Sequence, residues 1–134
     1  MKKFLLDTNF CISFLKGENN LDEQLKKVGF KNCSISEVTL AELKYQAECS
    51  EQVAENLVMV DEFSKAISVV PIYNSLSIYA NEKARLRKKG ELIDDFDILI
   101  GTSAVVNDLV LVTENEKNLG RISKIKIENW MKPQ

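Results

Sequence analysis

Histidine does not occur anywhere in the 134 residues of the chain. Its absence excludes nucleophilic catalysis by Ser-His-Asp or Cys-His arrangements and removes the commonest ligand of zinc sites. Cysteine is scarce, and Cys11, Cys33 and Cys49 match no zinc-motif spacing. An odd count without a secretion signal reads as reduced thiols, with Cys11 and Cys33 in apolar, core-like contexts. Five glycines and two prolines leave little room for a long linker or a low-complexity tail. There is no internal repeat, and no apolar run approaches the ~20 residues of a transmembrane helix. The N-terminal apolar segment is interrupted by Asp7 and lacks a cleavage pattern. The expected compartment is therefore the cytoplasm, with no membrane partner. An excess of positive charge is missing too: 18 Lys and Arg against 20 Asp and Glu give a net charge of −2. That total weighs against a nucleic-acid binder but leaves room for a local basic patch. Enzyme chemistry here must rest on carboxylates, hydroxyls, amides and basic side chains.

What is present points to an ordered globular domain spanning 1–134, with 45% hydrophobic and 28% charged residues. The run Phe4-Leu5-Leu6 ends abruptly in Asp7-Thr8-Asn9, which predicts a buried strand feeding a helix to about Lys16. Leu21, Leu25 and Val28 have helical spacing and stop at Gly29. Strands follow at Cys33–Ser36, Ile67–Pro71, Leu109–Thr113 and Ile125–Ile127. Helices are expected over Val38–Cys49, with Leu40, Leu43, Ala47 and Tyr45 inward, over 52–66, over Ser75–Lys89, and from Asp94 or Asp95 to Asn107. A short helical turn precedes the last strand. Strands alternating with helices predict an α/β fold, a parallel sheet with helices on both faces. Right-handed crossovers then bring Asp7, Ser36, Pro71 and Thr113 to one sheet edge, where ligands of open parallel sheets bind.

Three carboxylates from three elements map to that edge. Asp7 closes the first strand, and its plain alternative is a helix cap. Glu42 either completes a capping box with Thr39 or, if Ser36 caps the helix, stands free near the edge. Among Asp94, Asp95 and Asp97, capping and helix-dipole compensation account for one or two. They account least for Asp97, whose face continues through Gly101, Ala104 and Val105 and so packs on the sheet. A charge there calls for a counter-ion. Oxygen ligands without His or Cys select a hard ion, Mg²⁺ or Mn²⁺, and such ions serve in many nucleases. Thr113 and Asn115 can hydrogen-bond a carboxylate or a water at the same edge, while Glu114 and Glu116 read as turn residues. Residues 82–90 hold five basic side chains and one acid. Arg87 and Lys88 are the candidates for steering an RNA backbone, against the alternative of a solvated helix end. Trp130 reads as a core or edge-packing residue.

With these residues in hand, the chain resembles the PIN-domain family and, within it, the VapC-type toxins of bacterial toxin–antitoxin pairs. The resemblance rests on Leu5-Leu6-Asp7-Thr8-Asn9, on Ser36 to Glu42, on Asp95-Phe96-Asp97-Ile98-Leu99-Ile100, and on Val112-Thr113-x-Asn115 with Arg121-Ile122 and Ile127-Glu128-Asn129-Trp130. It runs in order over essentially the whole length. It implies a three-layer α/β/α sandwich with a five-stranded parallel sheet. It also implies Mg²⁺-dependent endoribonuclease activity on tRNA or mRNA, a toxin homodimer, and neutralisation by a VapB-like antitoxin.

Carried over by position, Asp7, Glu42 and Asp97 fall on the family's acidic, metal-holding site, Glu42 directly or through water. Asn115 falls on a fourth position that is acidic in many members. Thr8, Asn9, Thr113 and Asp95 are expected to support the site. Asp94 replaces a usual Gly, Leu119 a common aromatic, and Gly120 a frequent Glu. Two other classes fit the sequence less well. A phosphoacceptor signalling domain needs an acceptor Asp on a central strand, whereas the third strand ends in Val70-Pro71. A non-catalytic PIN-like binding module does not account for an intact acid set.

Overall fold

Side-chain alternation along the two central strands builds the molecule. In the computed structural model, which describes residues 2–131, Phe4 and Leu6 of β1 (Phe4–Leu6) face one way and Leu5 the other. In β4 (Val110–Val112), Val110 and Val112 share the first face and Leu111 the second. The ends of the 1–134 unit, residue 1 and residues 132–134, lie outside the described residues. A strand buried on both faces must be apolar throughout, as these are.

The first face is covered by α1 (Thr8–Leu15), α2 (Leu21–Val28), α3 (Glu37–Glu48) and α4 (Val53–Ala66). They contribute Phe10 and Cys11, Leu21 and Leu25, Leu43 and Ala47, and Val60 and Phe63. The second face is covered by α5 (Leu76–Lys88), α6 (Asp95–Val106) and α7 (Glu116–Leu119), through Leu86, Ile98, Ile100, Ala104 and Leu119. With β2 (Cys33–Ser36), β3 (Ser68–Val70) and β5 (Ile127–Glu128), the strands form one five-stranded sheet in the order β3-β2-β1-β4-β5. All of its pairings are parallel, as in Leu6 opposite Val112 and Ser36 opposite Val70. This is the expected three-layer sandwich. Among the described residues, no helix is long and apolar enough to cross a membrane.

Local chemistry sets the element ends. α2 starts with Asp22 and Glu23 and ends with Lys26 and Lys27, charges that suit the helix dipole. It stops at Gly29, whose φ of 89° suits glycine. Two expectations are corrected. Tyr45 points outward, 68% exposed, because it sits about 200° around the helix from the buried Leu43. The last strand begins at Ile127 rather than Ile125, since the Ile125 N–H still closes a turn onto the Ile122 carbonyl and Lys124 has a positive φ. Trp130 packs edge-on against Phe4 and Phe10, at centroid distances of 5.0 and 5.5 Å.

An ion pair between the buried Glu82 and the half-buried Arg85 fixes the segment after α7. The Glu82 carboxylate accepts from Arg85 Nε and Nη2, each at 2.9 Å, and from the Ser123 N–H at 2.6 Å. Arg85 Nη2 also donates to the Arg121 carbonyl at 2.6 Å. Ile122, held between these contacts, lies against Gly101 of α6, where a Cβ would overlap its terminal methyl. Gly101 is one turn beyond Asp97.

Candidate active site

Asp7 is both a helix cap and the floor of the acid group. It sits at the carboxyl end of β1, 4% exposed. One carboxylate oxygen accepts the Thr8 N–H at 2.8 Å, and the other accepts the Thr113 hydroxyl at 2.7 Å. The Thr113 oxygen in turn accepts the Asn115 N–H at 3.0 Å. Both the capping and the site readings of Asp7 therefore hold, on different oxygens. Burial raises its proton affinity, Thr113 and Thr8 lower it, and the Glu114 carboxylate raises it again.

Glu42 is released from capping because Ser36 does that work: the Ser36 hydroxyl accepts the Val38 N–H at 3.0 Å. Glu42 instead accepts the Thr8 hydroxyl at 2.6 Å. Thr8 and the fully buried Thr39 lie 2.9 Å apart, oxygen to oxygen. A hydroxyl has one proton. With the Thr8 proton on an acceptor-only carboxylate, Thr39 must donate to Thr8, which orders the chain Thr39→Thr8→Glu42. Burial raises the Glu42 proton affinity, Thr8 opposes that, and the Asp7 and Asp94 charges add to it.

The three aspartates of α6 divide their roles. Asp94 is the N-cap, accepting the Phe96 N–H at 3.1 Å. Asp95 turns away from the acid group. It pairs with Lys83 at 2.7 Å and accepts the Tyr79 hydroxyl at 2.8 Å, tying α6 to α5. Asp97 is the half-buried one, and its carboxylate accepts no hydrogen bond from the described residues. Burial first, then the Asp7, Asp94 and Glu42 carboxylates, push it up to about 6. Desolvation and like charge both disfavour ionisation, so Asp97 is the acid that most needs a cation.

The donor set is oxygen throughout, which suits Mg²⁺ or Mn²⁺. Among the described residues, no three His, Cys, Asp or Glu side chains close a metal cage by themselves. Mg²⁺ rarely uses such cages: it keeps several waters and takes one or two carboxylates. The residues present fit it on that basis.

Asn9 is exposed on the first turn of α1 and lines a cavity with Thr8 and Glu42. Asn115 stands at the start of α7, beside Thr113. The structure also sorts the basic stretch. Lys83 is taken by Asp95 and Arg85 by Glu82, whereas Arg87, Lys88 and Lys89 are exposed at the end of α5. Two contributors escaped the sequence reading. The role of Thr39 depends on a rotamer that no spacing reveals. The pressure of Glu114 on Asp7 depends on how the chain turns after β4. In the sequence, Glu114 and Glu116 flank Asn115 and read as turn residues.

Comparison with known proteins follows the same lines. The PIN domain family model matches residues 4–125. The tRNA(fMet)-specific endonuclease VapC of Salmonella typhimurium is 34% identical over 131 residues, 97% of this chain and 99% of that protein. Ribonuclease VapC2 of Haemophilus influenzae is 32% identical over 133 residues, 98% of this chain and 100% of that one. The crystal structure of DNA-bound VapBC from Salmonella typhimurium matches with a TM-score of 0.88 at 34% identity, covering 97% of this chain and 99% of the matched one.

Proposed function

The chain belongs to the PIN domain family and, within it, to the VapC group. From that premise we propose that it is a metal-dependent endoribonuclease, the toxin of a type II toxin–antitoxin pair. The observation that carries this reading is the meeting of Asp7, Glu42 and Asp97, from three separate elements, with Asp97 pushed up to about 6 by burial and by the other acids.

Asp7 and Asp97 would hold the ion directly, with Glu42 as a third group, directly or through water. When bound, the ion would supply Lewis-acid charge beside the phosphodiester. Thr113 and the Thr8 N–H lock the Asp7 carboxylate in one orientation. Glu42, aimed by the Thr8 hydroxyl, takes the proton of the attacking water. The Asn115 amide completes the polar rim where many relatives have an acid. Arg87 and Lys88 draw in the phosphate backbone. In-line displacement breaks the bond between phosphorus and the 3′-oxygen, which takes a proton from solvent, and leaves a 3′-hydroxyl and a 5′-phosphate, on tRNA or mRNA.

Neutralisation by a VapB-like antitoxin follows from the same pocket. A basic side chain from the partner, an arginine for preference, would pair with the acid group in place of the ion. A second cavity of about 470 Å³ runs between α1, α3 and α4, lined by Leu15, Leu43, Ala47, Met59 and Val60 among others. Ile12 and Gln46 line both this cavity and the one at Glu42. A bound segment can thus run from apolar groove to acid pocket.

The test is expression of the wild type and of Asp7→Asn, with mapping of the RNA ends. Cleavage leaving 5′-phosphates is expected only in the wild type, with both proteins giving the same circular dichroism. Full cleavage by a folded Asp7→Asn variant overturns the assignment. Calorimetric titration with Mg²⁺ and Mn²⁺ separates an enzyme from a non-catalytic binding module, which takes up neither.

A further inference from the structure

Two exposed aromatic rings stand beside the acid group, outside both apolar clusters of the core. Phe96 directly precedes Asp97, is 47% exposed, and joins neither apolar cluster of the core. Tyr45 lies one turn beyond Glu42 on α3, and its hydroxyl rests against the Cys49 thiol. Both rings line one cavity of about 530 Å³, whose other walls are Thr8, Asn9, Ile12, Ala41, Glu42 and Gln46. That volume lies within the roughly 300–1,000 Å³ of small-ligand pockets. Asn9 and Gln46 are exposed, and their amides make no hydrogen bond to the described residues.

We propose that this cavity is a subsite for one unstacked nucleobase of single-stranded RNA, stacked on Phe96 and Tyr45 and read along its edge by the Asn9 and Gln46 amides. Three features select that occupant. The cavity shares Thr8 and Glu42 with the acid group, so whatever fills it adjoins the reacting phosphate. Its acidic wall repels phosphate but accepts a neutral base. Aromatic faces next to free amides are what unpaired bases use, since every base has a π-face and a hydrogen-bonding edge. A paired base in a duplex cannot enter. Cleavage is therefore confined to loops and single-stranded segments, with a base preference set by residues 9 and 46. The inference rests on the ribonuclease reading and extends it to the substrate.

The test uses short single-stranded oligoribonucleotides carrying 2-aminopurine at successive positions. They are bound to the wild-type protein in EDTA and, in parallel, to the Asp7→Asn protein in Mg²⁺, so that the RNA stays whole. Quenching at one position is expected, absent when the same sequence is presented as a duplex. Phe96→Ala and Tyr45→Ala should each weaken binding roughly 5- to 100-fold and remove the quenching. Phe96→Tyr should keep both, and Phe96→Leu, which preserves bulk without a π-face, should not. Bound and cleavable RNA with no position quenched overturns the subsite while leaving the ribonuclease reading intact. Position-specific, Phe96-dependent quenching without cleavage in Mg²⁺ supports the subsite and overturns the ribonuclease reading. Absence of any RNA binding overturns both. If the two alanine variants bind RNA normally but lose the antitoxin, the cavity is a protein-docking surface and the proposal fails.

Discussion

Thr8 gives its hydroxyl proton to Glu42 across 2.6 Å, joining the first turn of α1 to the second turn of α3. The Thr8 oxygen is left to accept from Thr39. The aim of Glu42 is therefore set two residues back along a hydroxyl chain, by a threonine that does not touch the acid.

Thr39→Val keeps the shape and removes the donor. A hydrogen bond between neutral groups contributes about 0.5–1.5 kcal/mol, so turnover should fall roughly 2- to 10-fold while KM for RNA stays near its wild-type value. Thr39→Ser should restore most of the turnover. Steady-state cleavage of one oligoribonucleotide by the three proteins decides it; an equal loss in Val and Ser points to packing instead.

Asp97→Asn should abolish cleavage and yet stabilise the metal-free protein. The variant removes a half-buried charge facing Asp7, Asp94 and Glu42. Discounted for solvent screening, the gain is roughly 1 kcal/mol, or a few degrees in Tm. Melts in EDTA at pH 7.5 should show the rise. Added Mg²⁺ should raise the Tm of the wild type and not that of the variant.

Glu82 makes the fold acid-sensitive. The Arg85 guanidinium, aided by Ser123, holds its carboxyl down to about 2, below the ordinary value near 4.3. The charged form is thus favoured by folding. Its contribution is complete above the ordinary carboxylate pKa and is lost as pH falls from there toward 2. Glu82→Gln should destabilise the protein by roughly 2 kcal/mol at pH 7, and the gap to the wild type should shrink in urea melts at pH 3. A gap independent of pH would rule out the charge.

Arg87→Ala and Lys88→Ala should weaken RNA binding about equally for all sequences. Each should reduce the slope of log affinity against log salt by roughly 0.7, the value for single strands. Lys83→Ala should instead lower stability, because Lys83 is engaged with Asp95. Fluorescence anisotropy across a salt series distinguishes these roles.

The parts legible in the sequence were those with local causes. The helix Leu21–Val28 and the strand Cys33–Ser36 were readable to the residue, because Gly29 and Ser36 punctuate them. Asp97 stood out because the rest of its helix face is small and apolar. The directions of side chains that meet across elements were not legible. The basic stretch read as one patch, yet Lys83 and Arg85 answer to acids that only packing brings near. Asp95, carried over as a supporting residue, lies two positions from Asp97, and in a helix that spacing places two side chains on different faces.

The sheet order carries a consequence in time. β1 lies in the middle, between β2 and β4, and Asp7 is closed off by Thr113, 106 positions later. A ribosome making this chain therefore releases Asp7 early and its partner Thr113 almost last. Until residue 113 emerges, the Asp7 carboxylate has lost no solvent on the β4 side and has no fixed orientation. Long-range closure of this kind is slow compared with local helix formation. An incomplete chain thus forms its helices before the Asp7 carboxylate is closed off by Thr113.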